Sequence, residues 1–514
     1  MELAEVAPAW IDPGKIDARQ LDLTGARAPP QALEARLLDG ITTVTRRLAY
    51  IGFRAWIIKR YWEARQPDRH ASFIAYAKRQ EAALAIGLVR SGFVGSNLIG
   101  IRPARTAAEE ANPGLKPLVK QPAVSIYGAS FEALGLGKPG DHRVPRLSNT
   151  GAALANAVEA RVSGTQYAKL LAGNPSLDSA SRNALAKFGE KVGFDEVGEN
   201  ERDLLSNVLF GLDAPPSWLP RRDTYAMLLL RLRKNPEAGD ADFLHTSVRP
   251  GSFPEILART VDGWAEYASL DLVAVAHERG LMAIVTELFS LQAGGTRSVA
   301  PEVVTGGAAS RPAVAELLEE LKLPGPDATV AALRQGLAAL CRDQSERGGI
   351  RRWKSGWTER KIIDALENNP GAGAAGPILA WCCAAHRIAG QRQRQLFVRD
   401  GLWSLQGSIL PFLDDYADQP ADRAMADFLR LVAMQHLRVA WSRYADDPTN
   451  NNALIATEQG KWSLVRDYNP QPMGRRLDAA RGWLWQLGAW TEDGLSDLGN
   501  QLLYRILTKS REAA

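Results

Sequence analysis

The stretch at residues 40–65, GITTVTRRLAYIGFRAWIIKRYWEAR, decides how the N-terminal part of the chain folds. Its large apolar side chains recur at spacings of three and four residues, so they fall on one face of a helix. They are Tyr50, Phe53, Ile57 and Tyr61. Thr42 or Thr43 precedes them, and a threonine oxygen can accept from the free N–H groups of a first helical turn. The stretch therefore predicts a capped helix with an apolar face.

Further helices follow from the same reasoning. Residues 69–90 come after a Pro67-Asp68 break and carry apolar side chains at helical spacing, so they predict a helical hairpin with the first helix. A long helix begins near Pro254, a residue suited to a first helical turn, and it is too apolar to be a surface helix. We expect this helix to be a central strut that is buried on more than one side.

Short segments predict β-structure beside the helices. Residues 123–128, AVSIYG, have a β-like pattern in a region rich in Pro and Gly. The pattern Leu-Ser-x-x-Gly-x-x-Leu occurs at 147–154 and again at 495–502, and its serine suits a helix N-cap. A capped helix after a tight β-turn is typical of the last part of a winged-helix module, here with a preceding helix at 475–487 and a wing at 489–494. The predicted fold class is mainly α, a multi-domain helical assembly with small β-containing, winged-helix-like segments.

The chain is longer than one hydrophobic core usually supports, which predicts about three domains or one extended helical assembly. Its 514 residues exceed the roughly 250–300 at which single cores stop growing. The stretch AGGTRSVAPEVVTGGAASRP is rich in Gly, Ser, Thr and Pro, and it predicts a linker. The predicted parts are an N-terminal helical domain with a small β excursion at 1–165, a middle helical domain at 166–295, the linker at 296–312, a C-terminal helical domain at 313–450 and a winged-helix-like terminal segment at 451–514.

Composition excludes a disordered chain and favours a protein inside the cell. Hydrophobic residues make up 46% and charged residues 23% of the sequence, which are globular values. No apolar run approaches the ~18 residues that cross a bilayer, and the N-terminus lacks a signal-peptide pattern. The cysteines, Cys341, Cys382 and Cys383, form no CxxC pair and predict reduced thiols. We therefore expect a cytoplasmic protein that does not contact membranes.

Catalytic and cofactor motifs have no support in the sequence. Gly135-x-Gly137-x-x-Gly140 matches a dinucleotide-binding pattern, but Pro139 and the residues after it do not open the helix that the motif requires. The six histidines lack metal-ligand spacing, and His277 is interpreted as a core histidine among apolar neighbours. We therefore predict no cofactor and no metal, while a site assembled from distant segments stays open.

Two basic and aromatic patches are candidates for nucleic-acid binding. The net charge is only +4, from 62 basic and 58 acidic residues, so a polyanion site has to come from local clustering. Arg and Lys neutralise phosphates, and tryptophan can stack on bases. A solvated charged face, or contact with an acidic partner protein, is equally compatible. The first patch has a local charge of +5 over residues 347–361 and comprises Arg347, Arg351, Arg352, Trp353, Lys354, Trp357, Arg360 and Lys361, with Arg392 and Arg394 following. The second patch, also +5, has seven cations against Glu63 and Asp68; it is represented by Arg46, Arg47 and Arg54 and also contains Lys59, Arg60, Arg65 and Arg69.

Four phrases together resemble a group of large, uncharacterised helical proteins from bacterial anti-phage defence islands. They are G-I-T-x-V-T-R-R-x-x-Y-x-x-F-x-x-W at 40–56, L-S-N-T-G-x-x-L-A from Leu147, W-x-x-Y-x-x-L-x-x-x-A from Trp264, and L-G-A-W followed by L-S-D-L-G near the C-terminus. Genes of that group typically accompany helicases, nucleases or methyltransferases. The resemblance implies a non-catalytic subunit of an anti-phage system with partners of those types, and it supplies no catalytic residue.

The sequence leads to one expectation and two alternatives for function. We expect a non-catalytic DNA-binding or scaffold subunit of a multi-protein bacterial defence system. The first alternative is a metal-dependent nuclease, or another defence effector enzyme, with an unrecognised site. The second is a winged-helix transcriptional regulator, although its candidate recognition helix at 475–487 carries Leu477, Trp483 and Leu484, a pattern that is typical of interior packing.

Overall fold

The computed structural model of the chain describes residues 22–93, 98–213, 219–237, 239, 243–244, 252–346, 358–388, 408–446, 452–468 and 475–513. These residues are mainly helical, as the sequence predicts. The chain divides into two compact units, and each combines segments that are distant in sequence. Unit 1 comprises Met1–Leu33, Leu244–Ser252 and Val261–Met473, and unit 2 comprises Glu34–Phe243, Phe253–Thr260 and Gly474–Ala514. The predicted consecutive parts, with boundaries at 165, 295, 312 and 450, do not coincide with these units.

The first half of the described chain contains eleven helices and one β-hairpin. The helices are α1 (Ala28–Leu37), α2 (Ala49–Glu63), α3 (His70–Arg90), α4 (Ile101–Ala107), α5 (Ala123–Ile126), α6 (Gly128–Ala133), α7 (Asn149–Val162), α8 (Gln166–Gly173), α9 (Arg182–Val192), α10 (Glu199–Phe210) and α11 (Pro220–Lys234). Strands β1 (Gly137–Pro139) and β2 (Pro145–Leu147) are antiparallel and pair Gly137 with Leu147.

The second half of the described chain adds ten helices and two further hairpins. The helices are α12 (Ala258–Ala293), α13 (Pro301–Ala309), α14 (Pro312–Glu320), α15 (Val330–Glu346), α16 (Thr358–Asn368), α17 (Gly376–Ile388), α18 (Leu410–Asp415), α19 (Ala421–Asp446), α20 (Arg476–Gln486) and α21 (Asp497–Ala513). The hairpins are antiparallel and pair β3 (Ile455–Glu458) with β4 (Lys461–Leu464), and β5 (Trp490–Thr491) with β6 (Gly494–Leu495). No helix in these ranges is both long and apolar enough to cross a membrane.

Helices α2 and α3 lie in unit 2 where the sequence predicts them, but α2 is buried more completely than predicted. Every residue from Ala49 to Ile58 is buried, so the helix is enclosed on all sides over this length. The predicted threonine cap is wrong, because α2 begins at Ala49 and the N–H groups of Leu48 and Ala49 donate to the side chain of Gln486, at 2.9 and 3.4 Å. Thr42 and Thr45 instead stabilise the preceding loop, where the Thr42 N–H donates to Thr45 Oγ1 at 2.9 Å. Tertiary packing therefore determines where this helix begins.

The predicted β-like run at 123–128 is helical. Its residues form α5 and the start of α6. The N–H groups of Ala123 and Val124 donate to the Glu81 carboxylate of α3, at 2.7 and 2.6 Å. A carboxylate from another helix thus satisfies the free donors of the first turn, which a local sequence pattern does not reveal.

In unit 1, the segment predicted as a linker includes a packed helix. Helix α13 buries Val304 and Ala308 and contacts α19. A Cβ added at Gly307 would lie 2.6 Å from Glu287 Oε1, so glycine permits close contact at this position. The Gly and Ala residues that suggested a linker therefore provide close helix packing instead.

Two helix–hairpin–helix motifs in unit 2 share the same hydrogen bonds. The first consists of α6, β1, β2 and α7, and the second of α20, β5, β6 and α21. Ser148 Oγ accepts from the Gly151 N–H, and Ser496 Oγ accepts from the Gly499 N–H, both at 3.0 Å. The Ser148 N–H donates to Leu136 O at 3.0 Å, as the Ser496 N–H does to Ala489 O at 3.2 Å. The repeated sequence pattern therefore corresponds to a repeated local structure.

Candidate nucleic-acid interface

The predicted N-terminal patch does not form a continuous exposed surface. Arg46 is exposed and makes no ion pair within the described residues. Arg47 pairs with Asp195 at 3.0 Å, and its guanidinium lies over the Phe93 and Phe194 rings. Arg54 is only 6% exposed. Among the three, only Arg46 offers an exposed guanidinium without an ion-pair partner.

The buried guanidinium of Arg54 contacts an aromatic ring and lies near two carboxylates in unit 2. It lies 5.2 Å from the centroid of the Phe131 ring, in a cation–π contact. Burial lowers the pKa of Arg54 to about 10, while the nearby carboxylates of Glu132 and Glu81 oppose this decrease. Arg54 therefore belongs to the interior of unit 2 and is not available to an external phosphate.

Most of the predicted C-terminal patch lies outside the described residues. Within them, Arg360 pairs with Asp364 at 2.5 Å on α16, and Glu367 lies 3.9 Å away. Lys361 is half-buried on the same helix. The other predicted residues lie outside the described ranges, and they are Arg347, Arg351, Arg352, Trp353, Lys354, Trp357, Arg392 and Arg394.

The structure brings together a different group of cations, where the β1–β2 hairpin rests on the turn between α2 and α3. Trp62 Nε1 donates to Pro145 O at 3.0 Å, and a ring nitrogen of His70 lies 3.2 Å from Arg143 O. Arg146 pairs with Asp68 at 3.1 Å, and its guanidinium lies 3.3 Å from the centroid of the Trp62 ring. We name the exposed cations of this region the hairpin cluster, and they are Arg65, Arg69, Lys138, Arg143 and Arg146.

The hairpin cluster has an excess of unpaired positive charge. Arg146 is the one member with an ion-pair partner, and the other four make no ion pair in the part of the chain that the structure describes. The nearby carboxylate of Glu63 is neutralised by Lys59, at 3.5 Å. Within residues 65–69 and 137–147, Asp141 at the hairpin tip is the remaining acid, so four unpaired cations and one carboxylate give these segments a charge of +3. The cluster therefore suits a ligand that carries several negative charges.

Arg143 holds an unusual backbone conformation at the tip of the hairpin. Its φ is +59°, in the left-handed region that non-glycine residues rarely adopt. Its N–H donates to Gly140 O at 2.9 Å, and this bond closes the turn. Such strain costs on the order of 1 kcal/mol or more and is found frequently at functional sites. The strained residue here is also an exposed cation.

The second helix–hairpin–helix motif shows that the fold does not require this positive charge. Its hairpin begins and ends with the same backbone hydrogen bonds as the first, but its tip carries Thr491, Glu492 and Asp493. The first hairpin is longer and carries Lys138, His142 and Arg143 in the corresponding region. One motif therefore has a basic tip and the other an acidic tip. The same backbone arrangement forms with either charge, so the positive charge of the first tip is not needed for folding.

Sequence reasoning missed most of the hairpin cluster because its two parts lie about seventy residues apart. Arg65 and Arg69 belong to the second predicted patch, whereas Lys138, Arg143 and Arg146 lie in a segment for which the sequence predicts no site. The available signal was KPGDHRVPR, which places three cations immediately before the Leu-Ser-x-x-Gly-x-x-Leu pattern. That pattern marks the end of a hairpin, so the preceding cations could have been assigned to an exposed tip.

The helix that would read DNA in a winged-helix regulator is largely buried. Leu477, Ala480, Trp483 and Leu484 of α20 are fully buried, in agreement with the interior packing that the sequence indicates. The Trp483 indole N–H donates to Thr45 O, at 2.6 Å. Helix α20 thus packs within unit 2 along most of its length.

The described residues contain no cluster of three or more His, Cys, Asp or Glu side chains that could hold a metal ion. Cys341, Cys382 and Cys383 are buried thiols, and burial raises the pKa of Cys382 to about 12. Comparison with protein-family models, with curated proteins and with solved structures gives no match to this chain.

Proposed function

We propose that the protein is a non-catalytic DNA-binding or scaffold subunit of a bacterial anti-phage defence system, and that it contacts DNA phosphates through the hairpin cluster. The resemblance of the sequence to proteins of defence islands motivates this context, together with a cytoplasmic location and partners of the helicase, nuclease or methyltransferase type. The observation that carries the proposal is that exposed, unpaired cations from two distant segments lie on one hairpin and its supporting turn.

Phosphate contact is the interaction that this geometry favours. Arginine and lysine release counterions when they neutralise phosphates, so four or five clustered cations give substantial affinity without base recognition. Trp62 is covered by the Arg146 guanidinium, so its ring is less suited to stacking on a base. A basic hairpin beside a helix is also consistent with the winged-helix-like interpretation, with the wing on the DNA backbone. The expected binding is therefore largely independent of DNA sequence.

The test is charge reversal at the three arginines of the hairpin cluster that have no ion pair. The full chain with Arg65→Glu, Arg69→Glu and Arg143→Glu should bind a labelled DNA duplex at least tenfold more weakly than the unmodified chain, as measured by fluorescence anisotropy at fixed salt. Each substitution replaces a potential phosphate contact with a repulsive charge. An unchanged dissociation constant would remove the hairpin cluster from the interface.

A matched control is available on α9. Lys187 and Lys191 are exposed and make no ion pair among the described residues. They lie close to Gly189, which contacts Gly87, and Gly87 is roughly 25 Å along α3 from His70, at 1.5 Å per residue. The variant with Lys187→Glu and Lys191→Glu should retain most of the affinity. If this control variant loses as much affinity for the duplex, the loss reflects the overall charge of the protein and not a defined interface.

A third variant separates the hairpin cluster from the patch predicted from sequence. Arg351→Glu, Arg352→Glu and Lys354→Glu alter three cations of that patch in the same anisotropy experiment. If only these substitutions weaken binding, the interface lies in the 347–361 region and the hairpin cluster is not involved. If both sets weaken binding, DNA contacts both regions.

A further inference from the structure

Helix α19 in unit 1 has an exposed apolar face. Its exposed large side chains are Leu431 at 39%, Met434 at 53%, Trp441 at 65% and Tyr444 at 43%. The positions 431, 434, 438, 441 and 444 follow helical spacing, so they form one stripe roughly 20 Å long at 1.5 Å per residue. We name this stripe the α19 face, and its members are Leu431, Met434, Arg438, Trp441 and Tyr444.

The opposite side of α19 is already anchored in unit 1. Met425, Phe428, Leu429, Val432 and Val439 are buried there. A helix that is apolar on two sides is normally covered on both, because exposed apolar surface is unfavourable in water. Single exposed apolar residues are common, whereas several on one helical stripe mark an interaction surface more often. The α19 face is therefore a candidate docking surface.

A helix that packs against α19 also carries an exposed apolar side chain. Helix α13 packs against α19, and Arg430 of α19 pairs with Glu302 of α13 at 3.0 Å. Val303, next to Glu302, is 55% exposed. The ion pair holds the two helices beside one another, so the helix next to the α19 face also exposes an apolar side chain.

The charge on the α19 face indicates which kind of ligand would bind there. Arg438 lies between Met434 and Trp441 in the stripe, is exposed, and makes no ion pair or side-chain hydrogen bond within the described ranges. Arg430 also contacts the carboxylate of Asp427, so its charge is largely compensated. A ligand that covers the stripe would desolvate the Arg438 guanidinium, which is costly unless the ligand supplies a carboxylate. The surface is thus apolar with one unsatisfied positive charge.

We propose that the α19 face binds an acidic amphipathic helix of a partner protein. This inference rests on the proposed function, and it deepens the scaffold half of that proposal. Amphipathic helices dock through side chains at i, i+3, i+4 and i+7, and a stripe of this length matches about four turns. Trp441 and Arg438 are the residue types that most often dominate such interfaces, and Met434 adapts its shape to a partner.

Two other occupants fit the stripe less well. A single-stranded nucleic acid would need successive aromatic platforms for its bases, but the Leu431 and Met434 half of the stripe is aliphatic. A second copy of this chain, docked antiparallel, would bring the Arg438 side chains of both copies together, since residue 438 is at the centre of the stripe. That arrangement places like charges opposite one another, which is unfavourable.

The test uses two synthetic helical peptides of about six turns with identical leucine faces. One carries glutamate at its solvent positions, and the other carries lysine. The full chain should bind the labelled glutamate peptide at least tenfold more tightly than the lysine peptide in fluorescence anisotropy. Equal binding, or binding of neither peptide, would overturn the proposal.

Substitutions then assign the contact to the α19 face. Trp441→Ala should weaken binding of the glutamate peptide at least tenfold, and Arg438→Glu should invert the preference toward the lysine peptide. Tyr504→Ala is the matched control, because Tyr504 is a 74% exposed aromatic residue on α21 and should be neutral. If Arg438→Glu leaves the preference unchanged, the charge argument is wrong.

The peptide-binding proposal and the DNA-binding proposal can fail independently of each other. The Trp441→Ala and Arg438→Glu variants should bind duplex DNA like the unmodified chain, so failure of peptide binding does not affect the hairpin cluster. Light scattering that shows a dimer dissolved by Trp441→Ala would identify a second copy as the occupant and overturn the proposal. Loss of single-stranded oligonucleotide binding in Trp441→Ala would likewise replace the peptide with nucleic acid.

Discussion

His436 illustrates how one side chain connects distant segments of unit 1. One of its ring nitrogens lies 3.0 Å from Leu23 O, and the other accepts from the Leu454 N–H at 2.9 Å. A neutral imidazole can donate through Nδ1 and accept through Nε2, whereas a protonated one has no acceptor. Burial is the main cause that lowers the pKa of His436 to about 4. The folded state thus requires the neutral ring.

This requirement predicts acid sensitivity with a defined sign. Because the pKa of His436 is about 4 in the folded state and near 6.5 when unfolded, its contribution is complete above pH 6.5 and is lost as pH falls toward 4. The free energy of unfolding should therefore fall by about 2 kcal/mol between pH 7.5 and pH 5 from this residue alone, at ~1.4 kcal/mol per pH unit. His436→Gln, which does not titrate, should show a correspondingly flatter pH dependence in urea unfolding.

The outcome for His436→Gln is informative even if the variant is less stable, since the comparison is between two pH values of one protein. Identical pH dependence in the two proteins would contradict the prediction.

His277 should also make the folded state less stable at low pH, because burial lowers its pKa to about 3 and its Nε2 accepts from the Trp381 indole N–H at 2.8 Å. The interpretation of His277 as a core histidine is confirmed by its complete burial.

At the scale of elements, a glycine fixes the close contact between each hairpin and its following helix. A Cβ at Gly151 would lie 1.9 Å from Leu136 O, and a Cβ at Gly499 would lie 1.9 Å from Ala489 O. Both distances are far shorter than any van der Waals contact, so a larger residue has to displace the backbone. The glycine of the Leu-Ser-x-x-Gly-x-x-Leu pattern is therefore a packing requirement.

Alanine at either glycine should separate the hairpin from its helix. We expect Gly151→Ala and Gly499→Ala each to destabilise the protein by about 2–4 kcal/mol in thermal or urea unfolding, through overpacking against a backbone carbonyl. Gly164→Ala is the control, because a Cβ at Gly164 meets nothing within 4 Å. Changes no larger than that of the control would contradict the packing argument. Gly151→Ala should also weaken DNA binding, since it displaces the hairpin that carries Arg143.

At the scale of the whole molecule, charge balance limits how DNA can be held. With a net charge of +4 on 514 residues, long-range attraction is weak and affinity has to come from local contacts. If the five cations of the hairpin cluster neutralise about five phosphates, the slope of log K against log salt concentration should be about −4.5. The Arg65→Glu, Arg69→Glu and Arg143→Glu variant should have a slope shallower by about 3. A slope that is the same in both proteins would show that other residues make the contacts.

Helices with strong periodicity were predictable, and those that depend on distant contacts were not. The predicted helix at 69–90 is observed as α3 at His70–Arg90, and the long apolar helix is observed as α12 at Ala258–Ala293. The first turn of α5 is satisfied by Glu81, forty-two residues earlier, so its own sequence suggested a strand. The Gly-rich segment containing α13 predicts a linker when only its sequence is considered, because small residues are common both in flexible segments and in closely packed helices.

By itself, the sequence determined the helical character of the protein, its principal helices and the repeated capped helix after a hairpin, because periodicity, N-caps and glycine requirements are local properties. The composition of the two units, the burial of Arg54 and the assembly of the hairpin cluster were decided only by tertiary structure. An arginine has the same charge in every part of a sequence. Whether it pairs with Asp195, as Arg47 does, or stays unpaired at a hairpin tip, as Arg143 does, depends on which distant residues the fold places beside it.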